Sequence, residues 1–350
     1  MAHLTNSFTF EGPLSPRVQQ AIGAAFEQGW ADPKKLSQAS HRALDLRSSA
    51  IEEFAGILGI SPASVEILGE PHLIHHLAIQ GFLQSQTHLR ISSVDVGKIR
   101  AVARAHTGQV STMAVTPFGE IELPKSLDEM DLISLQVENG ETGIRQNFNS
   151  WRNLSSRIVL DATRTTPQKS MVDGFAAATF DSQSWSGPAG LGFLVINDSD
   201  NYRYPFAHIA PIRTPGSYSL PLLVGAVVAL NEYLQVEDSL VALRMRLADL
   251  LEAIDGIALV GAESVRSRFI SFLVSDFSGE EVLRALLQRA STLDAGSACS
   301  PEDLTPSHVI AAMGLPTTGH LRATIHPGMN GEDIENLATQ INTVLQNLRR

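Results

Sequence analysis

The chain has 350 residues, of which 43% are hydrophobic and 18% charged, a composition typical of a globular protein large enough for two lobes. Its formal net charge of −11 at pH 7 argues against binding to nucleic acid or to an anionic membrane. The single cysteine excludes a disulfide within the chain, no uninterrupted apolar run approaches a bilayer span, and the N-terminus lacks a secretory pattern. We therefore expect a cytoplasmic protein.

The hydrophobic pattern predicts alternating helices and strands in the first part of the chain. Helices are predicted over 13–27, 36–58, 73–83 and 96–106, and strands over 65–68, 91–93, 110–115, 132–137, 158–160, 175–180 and 193–196. Alternation at this spacing favours a mostly parallel sheet with crossover helices.

The second part of the chain has a different order of predicted helices and strands. Helices are predicted over 220–234, 239–254, 279–288 and 332–348, and strands over 257–260, 269–274 and 320–325. Arg244 and Arg246 are expected on the polar face of the second of these helices, opposite a leucine stripe. We divide the chain into an N-terminal segment (1–15), a large α/β domain (16–235) and a small C-terminal α+β domain (236–350).

The most informative motif occupies residues 181–192 and has the sequence D-S-Q-S-W-S-G-P-A-G-L-G. Taken alone it predicts a Gly/Pro turn between two strands, since its glycine spacing is not that of a dinucleotide site. From about Thr9 to the C-terminus, however, the chain resembles the cysteine desulfurases of the class V aminotransferase family. Those proteins carry S-x-H-K, two further residues, and then G-P-x-G-x-G. The match places Ser184 at the family's lysine, Gln183 at its histidine and Asp181 at its serine.

This resemblance implies a fold-type-I, pyridoxal phosphate (PLP) transferase-like protein. Family members are homodimers with a large α/β domain, a smaller domain and a ligand crevice where the sheet's strands end. In them the lysine holds PLP as a Schiff base, and the hydroxyl of Ser184 cannot form an imine.

The resemblance also assigns positions around the cofactor ring. Asp161 matches the carboxylate beside the ring nitrogen, and the alternative for it is a strand-end residue that caps a turn. Arg164 replaces a glutamine of the same motif. Asn139 and Gly140 align with a pair of asparagines, the second of which contacts the phenolic oxygen, and Asn139 is predicted to contact the substrate. No histidine occupies the ring-stacking position within 93–98.

The family's phosphate-binding turn corresponds to residues 70–76, with His72 at one of its contacts. Pro71 removes an amide donor, and Glu70 and Asp181 add negative charge where a phosphate would bind. Two like charges at ~4 Å and an effective dielectric of ~20 repel by ~4 kcal/mol, enough to weaken phosphate binding by orders of magnitude. His72 and His76 would share a helix face, but no third ligand accompanies them, so we predict no metal site.

Three residues match the family's substrate end. Cys299 lies in G-S-A-C-S, which resembles the mobile loop whose cysteine takes up sulfur as a persulfide; the alternative is an inert small apolar residue. Arg322 matches the arginine that clamps the substrate carboxylate; the alternative is a surface arginine on a strand. Arg213 lies in a segment similar to the family's R-S-G-T.

Three functional hypotheses follow. The first is a non-catalytic paralogue without PLP, acting as a homodimer or as the partner of an active desulfurase and binding a small carboxylate or a protein. The second is an active PLP-dependent cysteine desulfurase or related aminotransferase-family enzyme, with PLP bound non-covalently or through another lysine such as Lys169. The third is a new chemistry with Cys299 as nucleophile and Arg322 as the anion clamp.

Overall fold

The computed structural model describes residues 6–152, 154, 156–208, 217–261, 266–295 and 307–350. These residues form a seven-stranded and a four-stranded sheet covered by helices. The strands of the large sheet are β1 (Val65–Leu68), β2 (His88–Ser92), β3 (Val110–Met113), β4 (Asp131–Gln136), β5 (Arg157–Asp161), β6 (Ala177–Asp181) and β7 (Gly192–Ile196). Those of the small sheet are β8 (Ile257–Val260), β9 (Phe269–Val274), β10 (Asp294–Ala295) and β11 (His320–Thr324).

The α-helices are α1 (Pro16–Gln28), α2 (Gln38–Leu58), α3 (Ile74–Gln80), α4 (Gly97–Ala105), α5 (Leu220–Glu252), α6 (Gly279–Leu287), α7 (His308–Ala312) and α8 (Gly331–Leu348). Single 3-10 turns occur at Pro62–Ser64, Pro71–Leu73, Phe148–Trp151, Lys169–Met171 and Ser182–Trp185. The order of helices and strands matches the sequence pattern closely, although the short elements β10 and α7 were not predicted.

The large sheet has the order β1-β7-β6-β5-β4-β2-β3. The strands from β6 to β3 pair in parallel, whereas β7 is antiparallel to both of its neighbours. Strand β4 is buried throughout, as expected for a strand covered by helices on both faces. The small sheet, β10-β11-β9-β8, is antiparallel. The predicted fold class, a mostly parallel α/β sheet with a smaller α+β part, is confirmed.

Helix α5 corrects one sequence prediction. The expected helices over 220–234 and 239–254 are one continuous helix of 33 residues. The intervening residues 235–238 contain neither glycine nor proline, so nothing in the chain interrupts the backbone hydrogen bonds there. The domain boundary placed at 235/236 falls inside this helix, and the division into domains stays a prediction.

Helix α5 also bears on the membrane question. It is the one helix in the described part of the chain that is long and apolar enough to cross a membrane, by length and composition only. Half of its most apolar window is buried against the rest of the protein, and core helices of soluble proteins pass the same test.

The N-terminal segment is attached to the small sheet. The Phe8 amide donates to the Thr292 carbonyl at 2.9 Å, and the Thr324 amide donates to the Phe8 carbonyl at 2.8 Å. The Phe10 amide then donates to the Asp294 carboxylate at 2.8 Å. These bonds carry Phe10 to the junction between the two sheets, where it is buried.

Candidate ligand crevice at the strand ends

Acidic residues gather at one edge of the large sheet. Asp161 and Asp181 are the last residues of the neighbouring parallel strands β5 and β6, and Asp95 follows β2. Because the carboxyl ends of parallel strands meet at the same edge, the three side chains converge there, at the position where open α/β sheets bind ligands. Burial, assisted by the charge of Asp161, raises the pKa of Asp95 to about 8.

Asp161 has a histidine partner within the chain. Its Oδ1 lies 3.1 Å from Nε2 of His75 on α3, and both side chains are buried. The Thr163 hydroxyl and amide donate to the same oxygen at 2.6 and 3.0 Å. Burial raises the pKa of Asp161, but the charge of His75 and these hydrogen bonds outweigh it and bring the pKa to about 2. Asp161 lies at the strand end as predicted, and its role toward a cofactor ring stays a prediction.

The two turns that the resemblance assigns to the phosphate are each capped by a carboxylate of the chain. Glu70 accepts from the His72 amide at 2.9 Å, at the start of the 3-10 turn before α3. Asp181 accepts from the Gln183 amide at 3.1 Å, at the start of the next such turn after β6. Carboxylate oxygens therefore already occupy amide donors that a phosphate would use. The His72 side chain is exposed.

Ser184 lies in the 3-10 turn after β6 with only 1% of its surface exposed. Its hydroxyl donates to the carbonyl of Thr163, the same residue whose amide and hydroxyl donate to Asp161. The adjacent Trp185 is fully buried, and its indole donates to the Ala226 carbonyl of α5 at 2.9 Å. The turn is thus fixed to both β5 and α5, so the serine is held rigidly.

Arg164 and Gly140 form a coupled pair of departures from the family pattern. A Cβ atom placed on Gly140 would lie 3.0 Å from both Cγ and Nε of Arg164. The guanidinium continues over the ring of Phe10, 4.2 Å from its centroid. Arg164 therefore takes the space beside residue 140, and an asparagine there would collide with it.

Asn139 is engaged within its own turn. Its amide donates to the Gln136 side chain at 2.9 Å, and its oxygen accepts from the Glu141 and Thr142 amides at 2.9 and 3.0 Å. These bonds hold the turn that carries Gly140. The predicted role of Asn139 in substrate binding stays a prediction, because its polar atoms already have partners in the chain.

Arg322 lies on β11 and reaches the crevice from the small sheet. Its guanidinium donates to the Gly140 carbonyl and pairs with the Asp294 carboxylate. The predicted anion clamp thus already holds a carboxylate of the chain. The other two predicted substrate residues, Cys299 and Arg213, lie outside the described residues.

Lys98, which the sequence analysis did not consider, is the lysine that borders the crevice. It lies in the first turn of α4, and burial and the charge of Arg164 lower its pKa, whereas Asp181, Glu70 and Asp161 oppose that shift. Lys169 is exposed as expected, with its side chain against Gly59 at the end of α2. Spacing after β2 offered a signal for Lys98, since residues that follow parallel strands face this edge.

Arg268 is the second residue that the sequence did not reveal. It precedes β9, is 5% exposed, and donates to the Gln183 carbonyl at 2.9 Å. Its guanidinium lies 5.1 Å from the centroid of Phe10. Among the residues that the structure describes, no group of three or more His, Cys, Asp or Glu side chains is placed to hold a metal ion.

Comparisons with known proteins agree with the fold described above. No protein-family model matches the sequence. Cysteine desulfurase IscS 1 of Archaeoglobus fulgidus is 23% identical over 371 residues, spanning 96% of this chain and 95% of that protein. A NifS-like protein from Rickettsia africae superposes with a TM-score of 0.83 at 15% identity and covers 97% of this chain and 99% of its own. Cysteine desulfurase CsdA from Escherichia coli gives a TM-score of 0.79 at 14% identity, covering 98% and 95%.

The chain has the class V aminotransferase-like cysteine desulfurase fold. The predicted resemblance to this PLP-dependent group is therefore confirmed at the level of fold. Proteins of this group are typically dimeric.

Proposed function

We propose that this protein is a non-catalytic relative of the cysteine desulfurases that does not hold PLP covalently at residue 184. One observation carries the proposal: two side chains at positions that the resemblance assigns to the cofactor already have partners within the chain. Asp161 pairs with His75, and the hydroxyl of Ser184 bonds a backbone carbonyl. Oδ2 of Asp161 has no hydrogen-bond partner among the described residues, so the support comes from Oδ1 of Asp161 and from the hydroxyl of Ser184.

The phosphate end supports the same proposal. Glu70 and Asp181 accept from the two amides nearest the family's phosphate contacts. Repulsion of about 4 kcal/mol between a phosphate and one such carboxylate corresponds to a roughly thousandfold loss of affinity. The residues present at these positions therefore do not fit PLP. We further propose a cytoplasmic homodimer whose partner is a small carboxylate or an active desulfurase.

The test is the visible absorbance spectrum of the purified full-length protein, with and without added PLP, alongside cysteine-dependent release of sulfide and alanine. We expect no absorbance from covalently bound PLP and no sulfide release. A purified protein that stays yellow after dialysis, and in which borohydride bleaches the colour while attaching PLP irreversibly to the chain, would refute the proposal.

Variants distinguish two effects: the lack of an amine at residue 184, and the carboxylates of Glu70 and Asp181 that occupy amides a phosphate would use. Ser184→Lys restores only the amine, and we expect it to remain colourless with PLP because Glu70 and Asp181 stay in place. Adding Glu70→Gly and Asp181→Ser restores the family's residues at all three positions, and this triple variant should bind PLP more tightly than the single one. Equal, tight binding by the single variant would show that the carboxylates do not matter.

A second candidate, a PLP enzyme that uses another lysine, is favoured by the place of Lys98 beside the acidic crevice. A neutral amine is the nucleophile in imine formation, and the pKa of Lys98 is shifted toward that form. Borohydride reduction with PLP followed by peptide mapping tests it, with Lys98→Ala as the variant and Lys169→Ala as the control. PLP attached at Lys98, and lost only in the first variant, would replace the main proposal with this one.

A further inference from the structure

A small polar cavity lies beside Ser184, on the side of its turn that meets α5. It is lined by Glu138, Arg164, Thr166, Ser184, Tyr233 and Arg268, among others. Together with the open space at its mouth it encloses about 200 Å³. Because part of that volume is open to solvent, the enclosed space suits only a small occupant.

Two arginines face this cavity without a carboxylate partner. Among the described residues, neither Arg164 nor Arg268 has an acidic oxygen within 4.0 Å. Nε of Arg268 and Nη1 of Arg164 are buried and have no hydrogen-bond acceptor. Arg268 is 95% buried, being 5% exposed. A buried arginine and a partly buried one, each with a buried unused donor on the same cavity, are costly unless an anion joins them.

The acids that line the cavity, Glu138 and Glu237, form no ion pair with either arginine among the described residues, and Asp181, whose charge acts on Arg164, is not part of the lining. Glu138 directs Oε2 to Nε of Arg145 at 3.0 Å, and its Oε1 accepts from the Ser267 hydroxyl at 2.7 Å. The carboxylate of Glu138 is therefore already paired with Arg145. The Tyr233 hydroxyl hydrogen-bonds with Thr166, and a pair of hydroxyls has two protons, so one O–H remains for another acceptor.

We propose that this cavity binds a small oxyanion, held by Arg164 and Arg268 with the Tyr233–Thr166 pair as an additional donor. The shared chemistry is that of inorganic sulfate, inorganic phosphate or the carboxylate of a small acid, since each offers several acceptor oxygens to guanidinium groups. The inference does not rest on the proposed function. Arg268 and Tyr233 are not at positions that the resemblance assigns to PLP, whereas Arg164 and Ser184 are. Anion binding by calorimetry and PLP binding by absorbance are separate measurements, so either proposal can fail while the other holds.

The experiment is isothermal titration calorimetry of the full-length protein with sodium sulfate, sodium phosphate and sodium acetate in turn, at constant ionic strength kept with sodium chloride. Calorimetry is preferred to a thermal shift because sulfate stabilises proteins non-specifically. We expect saturable one-to-one binding of at least one of the three anions, and the anion that binds identifies the source. No saturable heat with any of them would overturn the proposal.

Three variants make the result specific. Arg268→Gln should weaken binding by about tenfold or more, as expected when a charged donor is lost. Tyr233→Phe removes only a hydroxyl, keeps the fold intact, and should weaken binding by a smaller factor; it serves if Arg268→Gln does not fold. Arg284→Gln, an exposed arginine paired with Glu280, is the matched control and should bind as the unaltered protein does. Unchanged affinity in Tyr233→Phe and in a folded Arg268→Gln would leave an adventitious surface ion only and refute the site.

Discussion

Replacing His75 by asparagine should destabilise the protein by leaving the Asp161 carboxylate buried without its histidine partner. In the folded chain the pKa of Asp161 falls from 3.8 to about 2. One pKa unit corresponds to about 1.4 kcal/mol, so its partners contribute roughly 2 kcal/mol at neutral pH, and removing one partner of a buried pair costs at least that much. Because the folded pKa is the lower one, this stability is present above pH about 4 and is lost as the pH falls toward about 2.

The His75→Asn variant should therefore unfold at a lower urea concentration at pH 7, by about 2 kcal/mol or more in the free energy of unfolding. Its acid unfolding should also begin at higher pH, since burial now raises the pKa of Asp161 with less opposition. Circular dichroism during urea and pH titrations measures both. His72→Asn, three residues earlier and exposed, is the control and should change stability by less than about 0.5 kcal/mol. Coincident urea and acid curves for the two variants would show that the His75–Asp161 pair contributes nothing.

Two further predictions concern the same crevice. Gly140→Asn should lower the free energy of unfolding by about 1–3 kcal/mol, because its Cβ would lie 3.0 Å from the Arg164 side chain. Adding Arg164→Gln should recover most of this loss, as measured by thermal unfolding. No recovery would mean that the two positions are not coupled. Asp95→Asn should flatten the pH dependence of stability: burial raises the folded pKa of Asp95 to about 8, above its unfolded value, so the unaltered protein loses stability as the pH rises from about 4 to about 8. An asparagine cannot ionise, and identical pH profiles for the two proteins would contradict the assignment.

Much of the fold follows from local pattern. The strands of the large sheet carry apolar runs that have to be buried on both faces, and the alternation with helices leaves few possible topologies. Arg244 shows where periodicity fails. It was expected on a polar helix face, yet it is 2% exposed and donates to the Gly261 and Phe269 carbonyls at 3.4 Å. Contacts between residues distant in sequence are invisible to a helical repeat.

The candidate site, like the fold, could be predicted from the sequence only in part. Asp161 could be placed at the sheet edge because it ends a predicted strand. Its pairing with His75 could not, since the geometry depends on how α3 packs on the sheet. The contact between Gly140 and Arg164 left a weaker signal: each residue departs from a family motif that surrounds the cofactor ring. Phe10 and Arg268 left none, since their meeting depends on how the N-terminal segment joins the small sheet.

Helix α5 has a mechanical consequence. Thirty-three residues at 1.5 Å each make a rod about 50 Å long, which packs against the turn that holds Ser184 at one end and against β8 and β9 toward the other. A rod without proline beyond its first turn, and without a break, transmits displacement rather than absorbing it. A displacement of the small sheet would therefore tilt α5 as a rigid body and move the turn that holds Ser184.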